Sequence, residues 1–484
     1  MNNQVILWLK KEYGYDISSD YYSLIDIWLD WWRGYHKPYH RISFNNGKKT
    51  FQRDLYTLKM GKKICEDWAS MLLNSKTHIK ISDENTSVWL QGKRETEGIL
   101  GANSFWTKGN RLIERAFATG TGAVTIHVSG IKLSDNSVSV SPEAEIQLRY
   151  LSAEYIIPLS VDNDRITEAA FCSETVEGGR KYLTVEVHRL NQKRHYVIET
   201  HRFIIDNGML KPEELPPSVI KRLETKSGVP WFSIFMPNIE NNVEYANGLG
   251  LSVLHNAIDS LKAVDLCFNN LCSDFYLGQK KVFMEKSLID FDEDGNEVAP
   301  DDVHQQMFTY VSFPVSDESK RFIMEFNPQL RVEENVKGIQ AQLDYLSFKC
   351  GLGNKHYQFN SGTVVTATQY TGDKQDLIQN ADKHYTAVER FLVSLMRSII
   401  YIGGRLTGAN VKDNADIEIC FDRSVIIDEA AERLQDSQDV RDGLMAKWEY
   451  RMKYYGETEE VARAVIDEIS GSQDDDVLMG FGGA

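Results

Sequence analysis

The chain has 484 residues, 42% of them hydrophobic, and a formal charge of −16 at pH 7. That length and apolar content are enough for two or three domains. The acidic balance argues against a protein that works by clamping nucleic-acid phosphates, since such binding rests on basic patches that release counterions, but it does not argue against a wall past which a polyanion slides.

Residues 1 to about 115 read mainly as helices. VILWL followed by two lysines is too short, and charged on the wrong side, for a secretory signal. Trp28, Trp31, Trp32, Tyr35 and Tyr39 stand among Arg33, His36, Lys37, His40 and Arg41. Such a cluster could stack single-stranded bases, but aromatics this dense more often pack a core or a subunit contact. Asp26 and Asp30, and the lack of a clean basic face, speak against a membrane interface. Polar turns fall near residues 45–49, and a short strand is predicted over 77–81. From Gly120 to about Phe235 the period changes: TGAVTIHVSGIKL, SVSVSPEAEIQLRYL, KYLTVEVHRL and KRHYVIETHRF alternate as strands do, between Asn, Gly and Pro clusters.

Residues 248–406 carry three helical seams. Leu254, Ile258, Leu261, Asp265, Phe268, Cys272 and Phe275 are spaced four and three apart, with Asp265 the one polar break. Val332, Val336, Ile339, Leu343, Leu346 and Cys350 repeat that spacing, as do Leu377, Ala381, His384, Val388, Phe391, Leu395, Ser398 and Ile402. Between the first two seams KKVFM, MFTYVSF and RFIMEF predict a small β-rich tip. From Leu277 to Arg331 the tip holds six Lys/Arg against eleven Asp/Glu. Between the second and third seams lies GLGNKHYQFNSGTVVTATQYTGDK, too polar for a core and long enough to be functional or mobile. A strand at DIEICFD then precedes an acidic helical region over 428–470, with Thr458 as a candidate N-cap, and a polar, glycine-rich tail over 471–484.

Few motifs point to chemistry. Asp290, Asp292, Asp294 and Asp301 match a calcium loop in spacing, but the twelfth position is Asp rather than Glu, Pro300 precedes it and the flanks read as strands, so an Asp-Gly hairpin turn fits better and no metal is expected. No phosphate-binding loop, H-E-x-x-H or G-x-S-x-G occurs, which leaves no catalytic residues to name and no cofactor to expect. The six cysteines show no CxxC pair and read as buried thiols of a reducing compartment. The longest apolar run, FLVSLMRSIIYI, is broken by Arg397, so no membrane span is expected and the chain reads as soluble.

The order of YYSLIDIWLDWWRGYH, LKMGKKICEDWASMLLNS, GLGLSVLHNAIDSLKAVDLCFNNLCSDFYLG, the VVTATQ loop and IIDEAAERLQDSQDVRDGLMAKWEYRMKYYGETEEVARAVIDEI resembles the portal proteins of tailed double-stranded DNA bacteriophages, in the form carried by phages of Gram-positive hosts. The resemblance runs over roughly residues 21–470. It implies an α+β portal fold: a helical and β-rich wing (1–248), a first stem helix (249–276), a clip (277–331), a second stem helix (332–352), a tunnel loop (353–368), a long wing helix with a closing strand (369–427) and a helical crown (428–470). Leu254, Ile258, Leu261, Phe268, Val336, Ile339 and Leu343 would form the stem interface. Lys355, Thr363, Thr366, Thr368 and Lys374 would lie nearest the DNA. Gln369 stands where the family has an acid, so no carboxylate role carries over there.

The implied function is a structural ring, dodecameric, at a capsid vertex of the virion and assembled in the host cytoplasm, through which DNA passes without sequence specificity. Its partners would be the terminase motor, head-completion proteins, and the capsid and scaffolding proteins. A nuclease or ATPase subunit of the packaging motor, or a capsid-interior scaffold without a channel, are the alternatives.

Overall fold

The computed structural model describes residues 2–45, 47–93, 96–134, 137–140, 144–206, 208–217, 219–285, 293–294, 308–311, 323–359, 367–423 and 429–468. Two compact units result, Met1–Phe421 and Asp422–Ala484.

In the first unit, α1 (Asn2–Tyr13), α2 (Asp20–Arg33) and a single turn, α3 (Lys37–His40), lead into a hairpin of β1 (Arg41–Asn45) and β2 (Thr50–Asp54). Next come α4 (Met60–Leu72), β3 (His78–Ile81), α5 (Glu84–Gln91), the two-residue strands β4 (Gly92–Lys93) and β5 (Thr96–Glu97), α6 (Ile99–Ala102) and α7 (Phe105–Thr119). The strand-rich region follows with β6 (Gly122–Val128), β7 (Ile131–Ser134), β8 (Ser137–Val140), β9 (Ile146–Ser152), β10 (Ile156–Asp162), β11 (Arg165–Glu177), β12 (Arg180–Leu190), β13 (Tyr196–Asp206), β14 (Met209–Glu213), β15 (Arg222–Glu224) and β16 (Phe232–Phe235). Strands β10 to β14 form an antiparallel meander with β15 on β13, and β6 lies between β16 and β9 in a second sheet.

Two cores hold this unit together. Helices α1 and α2 lay Val5, Leu9, Tyr21, Ile25 and Trp28 against Phe171, Leu183, Val185 and Phe203 of the meander. The aromatic segment is therefore covered within one chain: Trp28 and Trp31 are buried, and the Trp28 indole donates to His255 Nδ1 at 3.2 Å. That fits core packing, one of the two readings favoured for the aromatic segment, and it removes these two rings from any stacking platform. In the second core Trp68 stacks on Phe117, with centroids 5.4 Å apart, and the buried His384 ring lies edge-on to both.

The three seams become α8 (Ile258–Leu277), α9 (Val332–Lys349) and α10 (Ala367–Ile402). Leu254 precedes α8, in a segment that reaches the helix through a 3-10 turn at His255–Ala257. Between α8 and α9, β17 (Lys281–Glu285) pairs in parallel with β18 (Phe308–Val311) and antiparallel with β19 (Ile323–Phe326), the predicted β-rich tip. After α10, β20 (Ile417–Cys420) pairs with β3. Of the cysteines, Cys65, Cys172 and Cys350 are buried, whereas Cys267, Cys272 and Cys420 are only half-buried; none forms a disulfide.

In the second unit, α11 (Glu429–Asp442) and α12 (Lys447–Tyr455) are tied by Asp436, which takes Lys453 Nζ at 2.6 Å and the Tyr454 hydroxyl at 2.7 Å. Thr458 opens a further helix, its hydroxyl accepting from the Val461 amide at 3.5 Å, as an N-cap does.

Candidate functional site

The pair α8 and α9 is antiparallel. At its tip end Asp274 accepts from Arg331 and from Asn335, both at 2.8 Å, so the C-terminal turn of one helix meets the N-terminal turn of the other. These bonds hold the Asp274 carboxyl below its usual pKa. Burial changes steadily along the pair. At the end away from the tip Leu254, Leu261, Leu343, Leu346 and Cys350 are buried; toward the tip Phe268 and Val336 are half-buried, and Phe275 and Val332 are exposed. Of the seven predicted stem residues, Leu254, Leu261, Ile339 and Leu343 are buried within one chain, while Ile258, Phe268 and Val336 are half-buried. Uncovered apolar side chains remain on the outside: Leu266, Phe275, Tyr276 and Leu277 on α8, Tyr345 and Phe348 on α9.

The end away from the tip is rooted by polar contacts that the seam pattern does not reveal. Asp265 Oδ2 lies 3.0 Å from His40 Nε2, and its other oxygen accepts from the Leu58 amide at 2.8 Å. Burial pushes the Asp265 carboxyl pKa up, although the His40 and Leu58 hydrogen bonds oppose that shift. One turn on, Asn269 accepts from the Tyr56 amide at 3.3 Å, and the Tyr39 hydroxyl donates to the Lys262 carbonyl at 2.6 Å. A lone aspartate in an apolar stripe was the signal for this junction, because a buried carboxylate needs donors.

The segment leaving α9 is pinned as firmly. The Trp68 indole donates to the Cys350 carbonyl at 3.1 Å and Asn380 to the Gly351 carbonyl at 3.2 Å. Gln340 bridges this segment, donating to the Tyr357 carbonyl and accepting from the Phe359 amide, both at 2.8 Å. The Tyr357 hydroxyl donates to Asp67 at 2.8 Å. Burial alone would raise the Asp67 pKa, but bonds from His356, Lys63 and Tyr357 bring it below the usual value. Lys355 stands in this segment with φ 57°, a left-handed conformation. Thr363 and Thr366 lie outside the described residues, whereas Thr368 and Lys374 fall in α10, which begins at Ala367.

Helix α10 then runs back through the second core. All eight residues of its predicted seam that follow Lys374, from Leu377 to Ile402, are buried. His384 Nδ1 accepts from the Asn238 amide at 3.1 Å, and burial holds the imidazole pKa down at about 3, so it is a neutral packing residue. Asp290, Asp292 and Asp301 of the calcium-like loop lie outside the described residues; among those described, no group of His, Cys, Asp and Glu is arranged to hold a metal ion. No helix among the described residues is long and apolar enough to cross a membrane.

The described residues thus hold a rooted antiparallel helix pair, a sheet at its tip and a pinned segment that precedes a long core helix. The family model for phage portal protein, SPP1 Gp6-like, matches residues 15–469. The chain belongs to this portal family. It is a structural portal subunit, serving DNA packaging into a phage capsid and the connection of head to tail. No curated protein matches this portal subunit.

Proposed function

We propose that the portal subunit closes into a ring of twelve, with α8 and α9 as the stem, the β17–β19 sheet as the clip, residues 353–368 as the tunnel loop, α10 and β20 as the return to the wing, and residues 428–470 as the crown. One observation carries the reading: the α8–α9 pair leaves apolar side chains uncovered along its length, Phe275 and Tyr276 near the tip and Leu266, Tyr345 and Phe348 nearer the other end, all exposed in one chain. Apolar patches of this kind mark contact surfaces, and head-to-tail contacts repeated by rotation close a ring. The half-buried Ile258, Phe268 and Val336 border the same surface.

In this ring the DNA passes Lys355, Thr363, Thr366, Thr368 and Lys374 with weak, replaceable contacts and no base reading. The terminase motor docks on the clip during packaging, head-completion proteins take the same face later, and capsid and scaffolding proteins surround the wing at the vertex. The subunit assembles in the host cytoplasm and acts without catalysis or a cofactor of its own. The test is a deletion: residues 279–330 replaced by a short Gly/Ser linker. The expected product keeps the wing's circular dichroism and a ring with a central hole in electron micrographs, but does not package DNA. Normal packaging would overturn the clip assignment, and a wild-type protein without a ring would overturn the whole reading.

A further inference from the structure

The β1–β2 hairpin is at odds with the rest of this acidic chain. Between Lys37 and Asp54 the sequence has five Lys/Arg, Lys37, Arg41, Lys48, Lys49 and Arg53, against one acidic residue, Asp54, which stands across from Arg41 at the hairpin's base, 3.9 Å from its guanidinium. Every described residue of both strands is exposed except Ile42, which is half-buried. The register sorts the hairpin into two faces. Arg41, Ser43 and Gln52 lie on a polar face, where Arg41 Nε donates to Gln52 at 3.0 Å. On the other face Phe44 sits directly across from Phe51, and the Arg53 guanidinium lies over the Phe44 ring at 5.3 Å. These two phenylalanines are 44% and 51% exposed. A lone two-stranded hairpin is marginal in water, so an aromatic pair left open on one is a surface awaiting cover.

The base of this hairpin, by contrast, is firmly anchored by polar contacts. Leu55 donates back to the His40 carbonyl at 2.8 Å, closing the hairpin, and His40 meets Asp265 of α8 in the buried pair described above. Tyr39, Tyr56 and Leu58 also bond to α8 or its side chains. An exposed arm on a fixed base is built to reach outward.

We propose that this arm docks on a second copy of the chain, with Phe44, Phe51 and Arg53 against an apolar surface edged by carboxylates. The proposal rests on the ring reading and adds a contact outside the stem. Charge names the partner: the chain's −16 excess puts acidic surface on every neighbouring copy, at the one-to-one ratio that the arm needs. The aromatic pair favours protein over duplex DNA, whose outer surface is charged backbone that cannot cover apolar rings.

The test uses full-length protein. Rings assembled from an equal mixture of unlabelled and 15N-labelled chains are treated with a zero-length carbodiimide coupler, and peptides containing Lys48 or Lys49 are read by mass spectrometry. The expected result is mixed-isotope pairs joining these lysines to Asp or Glu. In parallel, Phe44→Ser with Phe51→Ser, and Lys48→Glu with Lys49→Glu and Arg53→Glu, are expected to raise the concentration for half-assembly about tenfold or more, with circular dichroism and tryptophan fluorescence unchanged. Same-isotope pairs alone together with wild-type assembly would overturn the proposal. So would variants that assemble normally but lose binding to a duplex oligonucleotide, since the arm's partner would then be nucleic acid. A wild type that stays monomeric sinks the ring reading and this arm with it, whereas normal wild-type rings with unaffected variants sink the arm alone.

Discussion

His40 Nε2 stands 3.0 Å from Asp265 Oδ2, two residues that are 225 positions apart in sequence and are both buried. Through this pair the N-terminal segment grips α8, the proposed first stem helix. Removing one partner of a buried pair leaves the other without compensation. Asp265→Leu is therefore expected to cost about 3 kcal/mol, since it strips acceptors from both His40 and the Leu58 amide. Asp265→Asn, which keeps an acceptor oxygen, should cost roughly 1 kcal/mol. Urea titrations of the two variants check the order; equal losses would show that the junction is packing alone.

The buried His384 makes acid stability predictable in sign. Its folded pKa is about 3, against an ordinary value of about 6.5. The unfolded chain thus takes up a proton at a pH where the folded chain does not, and stability falls as pH drops from about 6.5 toward 3, by up to about 1.4 kcal/mol per unit. His384→Leu should flatten that slope by one proton between pH 6 and pH 4, seen in the pH dependence of the urea midpoint. An unchanged slope would mean that the imidazole is charged in the core.

Assembly should depend on the uncovered outer residues of the stem more than on its seam. Tyr345→Glu and Phe348→Glu place charge where one chain has no cover, so the isolated subunit is expected to fold normally, with a loss of stability below about 0.5 kcal/mol, while rings are lost in light scattering. Leu343→Ala, at a buried seam position, should instead cost about 3 kcal/mol of stability and leave the geometry of any ring that forms unchanged.

Channel contacts predict an asymmetry between adding and removing interactions. Thr366→Lys and Thr368→Lys, repeated around a ring, would add many phosphate contacts and make DNA retention steeply salt-dependent. The corresponding alanines should be mild, since a hydroxyl contact to a moving backbone carries no sequence information. Packaging assays across a salt series separate the two; lysine variants that package as well as wild type at low salt would place this loop away from the DNA.

Much of this fold was legible in the sequence where one element buries one face against a large neighbour. The seam from Leu377 to Ile402 is buried throughout because α10 crosses the second core along its length, so a long 3.6-residue period has one meaning. Strands β10 and β11 gave no such signal: Ala169, Ala170, Phe171 and Cys172 are buried in succession, on both faces, which erases alternation. The β1–β2 hairpin showed only its turn, because strands exposed on both faces carry no amphipathic pattern. Asp265 was visible as a break in a seam, but the donors that explain it come from His40 and Leu58, and no local pattern reports a contact across 225 positions. The portal resemblance came from the order of segments, which survives when individual words drift.

The graded burial of the seams along α8 and α9 also makes this helix pair a cantilever, clamped where Asp265, Asn269 and Cys350 bond to Leu58, Tyr56 and Trp68 and free where Phe275 and Tyr276 are exposed. Stiffness at the free end of such a beam comes from lateral bracing, so in a closed ring each subunit would stiffen the next one's tip. A push on one tip sheet would then be shared around the circumference rather than absorbed at a single root, and amide exchange would be expected to slow on assembly most at residues 268–277.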